Sequence, residues 1–421
     1  MTSSKTLSRM VQLAASITAS VAEIQEFLSA HDIASPSFDE DAPLSLPREV
    51  SAAQNVVLDA TAELHDLLLE PMSLLYLHGG HINSACFQAI TRFGIANLVP
   101  ASGRATFAEI AERIQPPVPE QMVARLLRHA MTMHVFCEPE PGVVAHTKAS
   151  KLLTNPTMND WLRAGTHEMW PAATRLVDAL ETWPGSEEPN HTGFVLANNT
   201  TDSIYEIIGK SPERAGRFAN AMKAFVTRAD YDPSYLTDHY DWAALGSVQV
   251  VDIGGAQGHI AMALASRFSN LNILVQDMDK IIEGAEAGVP EALKDRVRFE
   301  AHDFFAPQTT SADILLFRWV LHNWSDKHCR LVLQSQIPML KPGTRMIIQD
   351  TFMPESAGAV PLWKERSLRA DDLTMAAAFN SRERTPSQWK ALIEGADPRF
   401  VVTKTIAPEG SALGILEVIW K

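Results

Sequence analysis

The residue in this sequence best placed to do chemistry is His322, set in the segment Phe317-Arg318-Trp319-Val320-Leu321-His322-Asn323-Trp324-Ser325-Asp326. Histidine titrates near neutrality and can take a proton from a hydroxyl as a general base. A lone histidine is more often a surface residue or a satisfied core residue, so its neighbours decide the reading. His322 follows a short apolar run at 314–317 that reads as a β-strand. Ligands of open α/β sheets lie beyond the carboxyl ends of such strands.

Other strand ends carry matching chemistry. Val251-Asp252-Ile253-Gly254-Gly255-Ala256-Gln257-Gly258 closes one run and leads into a helical segment from His259. Glycines permit a sharp turn and a close approach of backbone to a ligand. Their spacing, at 254, 255 and 258, departs from the G-x-G-x-x-G of dinucleotide sites. A purely structural turn and a cradle for a nucleotide-like cofactor both fit that pattern alone. The next run ends in Val275-Gln276-Asp277, an acid placed to accept hydrogen bonds from both hydroxyls of a ribose. A solvated turn aspartate is the plainer alternative. A third ends in His302-Asp303-Phe304-Phe305, a carboxylate for an adenine amino group and an aromatic face for its ring.

The elements that position these groups are legible as a pattern. Apolar β-rich runs at 248–253, 272–276, 297–301, 314–317 and 345–349 alternate with helical segments, which predicts an α/β fold with a mostly parallel sheet. Runs at 400–407 and 414–420, with Pro408 and Ser411 between them, predict an antiparallel hairpin at its edge.

The preceding part of the chain reads as mainly helical. Leu7, Met10, Val11, Ala14, Ile17, Val21, Ile24 and Leu28 recur at helical spacing. That stripe packs on its own domain or is exchanged with a second subunit. Residues 34–47 read as a linker, and 49–69, 82–93, 105–114 and 121–131 as helices. The stretch 135–147, turning at Pro141-Gly142, resembles a two-stranded wing. The expected division is an arm plus winged-helix-like domain over 1–160, then a helical connector and the α/β domain over 161–421.

A winged helix can bind DNA or serve as a dimerisation platform. The formal net charge of -14 disfavours a phosphate backbone as partner, since that contact depends on clustered Lys and Arg. Arg125 and Arg128 lie on the 121–131 helix, but Glu120, Glu138 and Glu140 flank them. Assembly into a homodimer is the expected role. Cys86, Cys137 and Cys329 are far apart, with neither disulfide nor zinc spacing. No stretch approaches the roughly 20 apolar residues that span a bilayer, and no leader pattern precedes the arm. A soluble cytoplasmic protein with no membrane partner is expected.

Taken together, the VDIGG loop, the QD and HDFF strand ends, the LHNWSD segment and Glu383-Arg384-Thr385 resemble the class I, caffeate-type small-molecule O-methyltransferases, in particular the fungal sterigmatocystin-type branch. The resemblance runs from the winged-helix region to the carboxyl terminus. It implies a Rossmann-like domain using S-adenosyl-L-methionine, with Gly254 and Gly255 near the methionine part, Asp277 at the ribose, Asp303 and Phe304 at the adenine, and Arg318 at the polar tail. It also implies His322 as proton acceptor, oriented by Asp350 and Glu383. Two departures stand out: Ala256 where many relatives have a third glycine, and Asn323 where plant relatives often have aspartate.

The reaction so implied is methyl transfer to a hydroxyl of a small phenolic or polyketide-derived secondary metabolite. No Asp, Asn and His cluster at ligand spacing adjoins the base, so no metal is expected. Phe218, Met222, Met375, Phe379 and Asn380 are candidate substrate-lining residues, although Met and Phe are also ordinary core residues. Two rival functions are a scaffold recruited for a non-methylating reaction such as pericyclic closure, and a winged-helix regulator sensing a small molecule.

Overall fold

Val248–Ile253, the first strand of a seven-stranded sheet, has its last four side chains buried. Such continuous burial is the mark of a parallel strand covered on both faces. In the computed structural model, which describes residues 7–421, the chain divides into two compact units, each built from non-contiguous segments. The first comprises residues up to Trp170 together with Ser211–Ala224 and Ala357–Leu368; the second comprises Pro171–Lys210, Phe225–Ser356 and Arg369–Lys421. The chain thus leaves and re-enters each unit, changing unit first between Trp170 and Pro171.

The first unit holds a three-stranded sheet, β1 (Arg104–Thr106), β2 (Cys137–Glu140) and β3 (Val143–Ala145), in the order β1-β3-β2. Gly142, at φ +86, makes the expected wing turn between β2 and β3. The helices His81–Arg92, Phe107–Arg113 and Glu120–Met131 close a core on Ile90, Ile110, Val123 and Leu127. Ala105 and Thr106 belong to β1 rather than to the expected helix; Thr106 caps that helix by accepting the N–H of Glu109 at 3.2 Å. A further helix, Pro71–His78, has no counterpart in the sequence reading. The arm helix Arg9–Ala30 lies along Ser51–Leu68 of its own chain, with Arg9 Nε donating to Glu63 at 2.6 Å.

Residues 34–47 are docked, not a free linker. Asp39 bridges Thr147 in antiparallel fashion, and Phe38 stacks on His134 with centroids 3.8 Å apart. Glu40 accepts the N–H of Ser102 at 2.9 Å, and Lys151 pairs with Asp41 at 2.6 Å.

The second unit carries β4 (Val248–Ile253), β5 (Leu271–Asp277), β6 (Val297–Ala301), β7 (Ile314–Arg318), β8 (Arg345–Thr351), β9 (Phe400–Ile406) and β10 (Leu413–Trp420) in the order β6-β5-β4-β7-β8-β10-β9. From β6 to β8 neighbours run parallel, and β10 lies antiparallel between β8 and β9. One face packs on Leu333, Trp389 and Leu392, the other on Leu264, Trp242 and Val289. The chain steps from β4 outward to β5 and β6, then returns to β7 on the other side of β4. That reversal is the topological switch point, where open α/β sheets bind ligands.

Candidate active site

Registration of the strands brings the candidate residues to one sheet end. Ile253 pairs with Gln276 on one side and Phe317 on the other, and Arg318 pairs with Gln349. The glycine turn, Asp277, Arg318 and Asp350 therefore emerge from adjacent strand tips.

The turn owes its glycines first to the protein's own packing. Gly254 has φ +71, and a Cβ there would come within 2.8 Å of Val320. A Cβ on Gly255 would come within 2.5 Å of the Asp252 carboxylate and 2.9 Å of Val275. Ala256 takes a left-handed φ of 49, a conformation glycine adopts at less cost, and its N–H donates to Asp277 Oδ2 at 2.9 Å. Asp277 Oδ1 accepts the N–H of Met278 at 2.8 Å, so this acid shapes the turn while keeping oxygen lone pairs for a ligand. Burial raises its pKa despite those two hydrogen bonds.

Asp252 is the site residue on β4 that motif reading passed over. Its side chain is buried and Oδ2 has no hydrogen-bond partner. Burial pushes this carboxyl up to about 7, with Arg318 pulling it down and Asp277 pushing it further up. A buried carboxylate oxygen left unpaired is unfavourable until a ligand or ion completes it. With the neighbouring Asp277, this suits a cofactor that brings an ammonium group, ribose hydroxyls and a sulfonium charge. Arg318 donates from Nε to Gln349 at 2.9 Å and from Nη2 to the Tyr231 carbonyl at 2.8 Å; burial lowers its pKa to about 10, opposed first by Asp252. Asp303 is exposed and caps its own turn, accepting from the N–H of Phe305 at 2.9 Å, while Phe304 packs edge-on to Trp324.

His322 occupies a short 3-10 turn after β7, and only 4% of it is exposed. Its Nδ1 lies 2.8 Å from Glu383 Oε1, and its backbone N–H donates to Asp350 Oδ2 at 3.3 Å. Because a carboxylate only accepts, Nδ1 carries the proton and Nε2 is the basic nitrogen. Burial works to lower the imidazole pKa, but the charges of Glu383 and then Asp350, with the Glu383 hydrogen bond, outweigh it and the pKa is raised. Asp350 is pushed up to about 6 by burial, against the pull of His322. The ligating atoms of His322, Asp350 and Glu383 lie within 4.8 Å of one another, a spacing compatible with a metal ion.

Three segments distant in sequence are tied together to hold this pair. Ser381 donates to the carbonyls of His322 and, at 2.8 Å, Trp324. Arg384 is fully buried, donating to Asp326 at 2.9 Å and to the Trp324 carbonyl at 2.8 Å. Phe352 bridges Arg384 in parallel, bringing the end of β8 beside Glu383. Asp372 accepts the N–H of Glu383 at 2.8 Å. Removing the cation from a buried pair strands its partner, so Arg384→Met is expected to lower stability by about 3 kcal/mol, read as a reduced unfolding midpoint in urea.

Trp319 was not singled out from sequence, although it lies in the His322 segment. Its ring stacks on the imidazole, centroids 5.3 Å apart and planes 13° from parallel, and its backbone takes a left-handed φ of 56. A bulky residue held at positive φ marks a position fixed by its surroundings, as functional sites often require.

The substrate-lining candidates fall in both units. Phe218 and Met222 lie on the helix Pro212–Val226 within the first; Met375, Phe379 and Asn380 belong to the second. Phe379 is buried beside Tyr205, with centroids 5.6 Å apart. The amide nitrogen of Asn380 is engaged with the carbonyls of Ser186 at 2.9 Å and Glu188 at 3.0 Å, which makes it a loop clamp.

Arg128, a candidate for DNA contact on the 120–131 helix, instead pairs with Glu138 at 2.7 Å and lies over Phe107. No helix among the described residues is long and apolar enough to cross a membrane.

A doubly wound sheet with an acid-lined glycine turn at its switch point is the architecture of a nucleotide-type cofactor site. Residues 187–397 match the family model of the O-methyltransferase domain, and residues 75–156 that of the O-methyltransferase dimerisation domain. The chain is 43% identical to the O-methyltransferase PaMT of Phomopsis amygdali over 98% of this chain and 97% of that protein. It is 34% identical to the chlorophenol O-methyltransferase of Trichoderma longibrachiatum over 98% of this chain and 90% of that one. Among solved structures, LepI in complex with S-adenosylmethionine aligns with a TM-score of 0.74 at 20% identity, covering 97% of this chain and 100% of that one. That likeness speaks for the fold alone.

The chain belongs to the plant and fungal O-methyltransferase family and is an S-adenosylmethionine-dependent O-methyltransferase of secondary metabolism. Its dimerisation domain supports a homodimer.

Proposed function

We propose that the protein methylates a hydroxyl of a small phenolic or polyketide-derived secondary metabolite, with His322 as general base, Asp350 and Glu383 as its orienting acids, and no metal. The hydrogen bond from His322 Nδ1 to buried Glu383 carries this reading, because it leaves Nε2 as the free basic nitrogen. Bound S-adenosylmethionine supplies a methyl group on a sulfonium, already activated for in-line displacement.

The protein's task is then to place an oxygen and take its proton. A phenol has a pKa near 10, so His322 Nε2 removes the proton as the oxygen becomes nucleophilic. Glu383 and Asp350 offset the positive charge that develops on the ring. Asp252, Asp277 and the glycine turn are assigned to the cofactor, with Asp303 and Phe304 at its adenine end and Arg318 beside Asp252. Of the candidate lining residues, Met375 and Phe379, which share a unit with His322, are the apolar groups assigned to the acceptor.

The likeness to a chlorophenol O-methyltransferase supports a phenolic acceptor.

Incubation with methyl-labelled S-adenosylmethionine and a panel of phenols, followed by mass spectrometry, tests the reaction. Label on a phenolic oxygen is expected, at the same initial rate with and without EDTA. Loss of transfer on chelation, restored by added Mg²⁺, would overturn metal independence. Conversion of an acceptor without label uptake would favour the recruited, non-methylating scaffold.

A further inference from the structure

We propose that Asp371 selects acceptors carrying, besides the oxygen to be methylated, a second hydrogen-bond donor, either a hydroxyl or an amine. This rests on the methyl-transfer reading above.

Asp371 lies on the helix Leu362–Phe379, one turn before Met375 and two before Phe379. Its neighbour Asp372 accepts the N–H of Glu383 at 2.8 Å, which pins this turn of helix beside the His322–Glu383 pair. Glu383, Arg228 and His322 are the charged and titratable groups that act on Asp371. Asp371 is solvent-accessible, yet makes no hydrogen bond or ion pair among the described residues. The surrounding protein, and then Glu383, pushes its carboxyl up to about 6.

Arg228, a cation that acts on it, is committed elsewhere. Arg228 donates twice to Asp230, at 3.1 and 2.7 Å, and lies over the ring of Tyr231. Tyr231 and Phe225 pack on Trp319 with centroids 4.9 and 5.1 Å away, and Trp319 stacks on His322. An aromatic wall therefore leads up to the base, and near the base stands a carboxylate with no protein donor. A flat aromatic acceptor fits that wall, and a carboxylate can only accept, so the group it meets is a donor.

Two series of meta- and para-substituted phenols that differ only in the second group provide the test: resorcinol, 3-aminophenol and 3-methoxyphenol, with hydroquinone, 4-aminophenol and 4-methoxyphenol. The readout is the ratio of kcat/KM for each donor-bearing phenol to its methoxy counterpart. In wild type this ratio exceeds one in at least one series, and Asp371→Ala reduces it about tenfold, the worth of one hydrogen bond to a charged group. Asp371→Asn, which keeps an oxygen acceptor, restores part of the preference for the hydroxyl.

Turnover of the panel with the same ratios in wild type and Asp371→Ala overturns this selection and leaves the methyl-transfer reading standing. A wild-type ratio at or below one in both series overturns it equally. Absence of methylation of all six phenols overturns the phenolic reading, and the role of Asp371 with it.

Discussion

His322→Ala is expected to lower kcat by about 10² to 10⁴ while leaving S-adenosylmethionine binding nearly unchanged, as read by single-turnover rates and titration calorimetry. The base is lost, whereas the groups assigned to the cofactor sit on other strand tips, at Asp252 and Asp277. The backbone ties of residue 322, to Asp350 and Ser381, do not depend on its ring. Glu383 would lose its partner in a buried site, so His322→Asn, which retains a donor toward Glu383, separates a folding defect from a chemical one. Wild-type turnover in either folded variant would remove His322 from the reaction.

The second large effect concerns the partner acid. Glu383→Gln keeps the shape of the site but removes the charge that raises the imidazole pKa. A loss of roughly 10² to 10³ in kcat is expected, by analogy with carboxylates that orient a catalytic histidine elsewhere. The direction of the pH effect follows from the sign of the shift. A general base works when neutral, so wild-type activity rises as pH increases through the raised His322 pKa. Removing the carboxylate lowers that pKa, and the acid limb of the kcat profile moves to lower pH. An acid limb that stays in place, or moves to higher pH, would mean that Glu383 does not act through the imidazole.

The sheet was legible because its strands are short, apolar and punctuated, and each candidate acid terminates one of them. The site's contacts were less so. Asp252 looked like an ordinary strand residue, since only three-dimensional structure reveals that one of its oxygens is buried without a partner. Asp371 carries no motif; its place follows from a helix pinned at Asp372 to a residue eleven positions later. The segment 34–47 has the composition of a linker, but its partners His134 and Thr147 are about a hundred residues away, and local composition does not encode pairing at that range. The helix Pro71–His78 has no amphipathic signature, because Met72, Leu74, Leu75, Tyr76 and Leu77 lie all round it and leave no polar face. Trp319 reads as an ordinary aromatic in its segment, because its stacking on the His322 ring depends on a left-handed backbone turn that residue spacing does not encode.

The glycine turn after β4 has a thermodynamic corollary. Its conformation is dictated by Val320, Asp252 and Val275, side chains that are present with or without a nucleotide. The cradle is thus folded in advance, and association forfeits little backbone entropy in forming it. Affinity there is governed by the charges and hydroxyls the ligand brings, so a substitution that loosens the turn should register as weaker binding and not as slower chemistry.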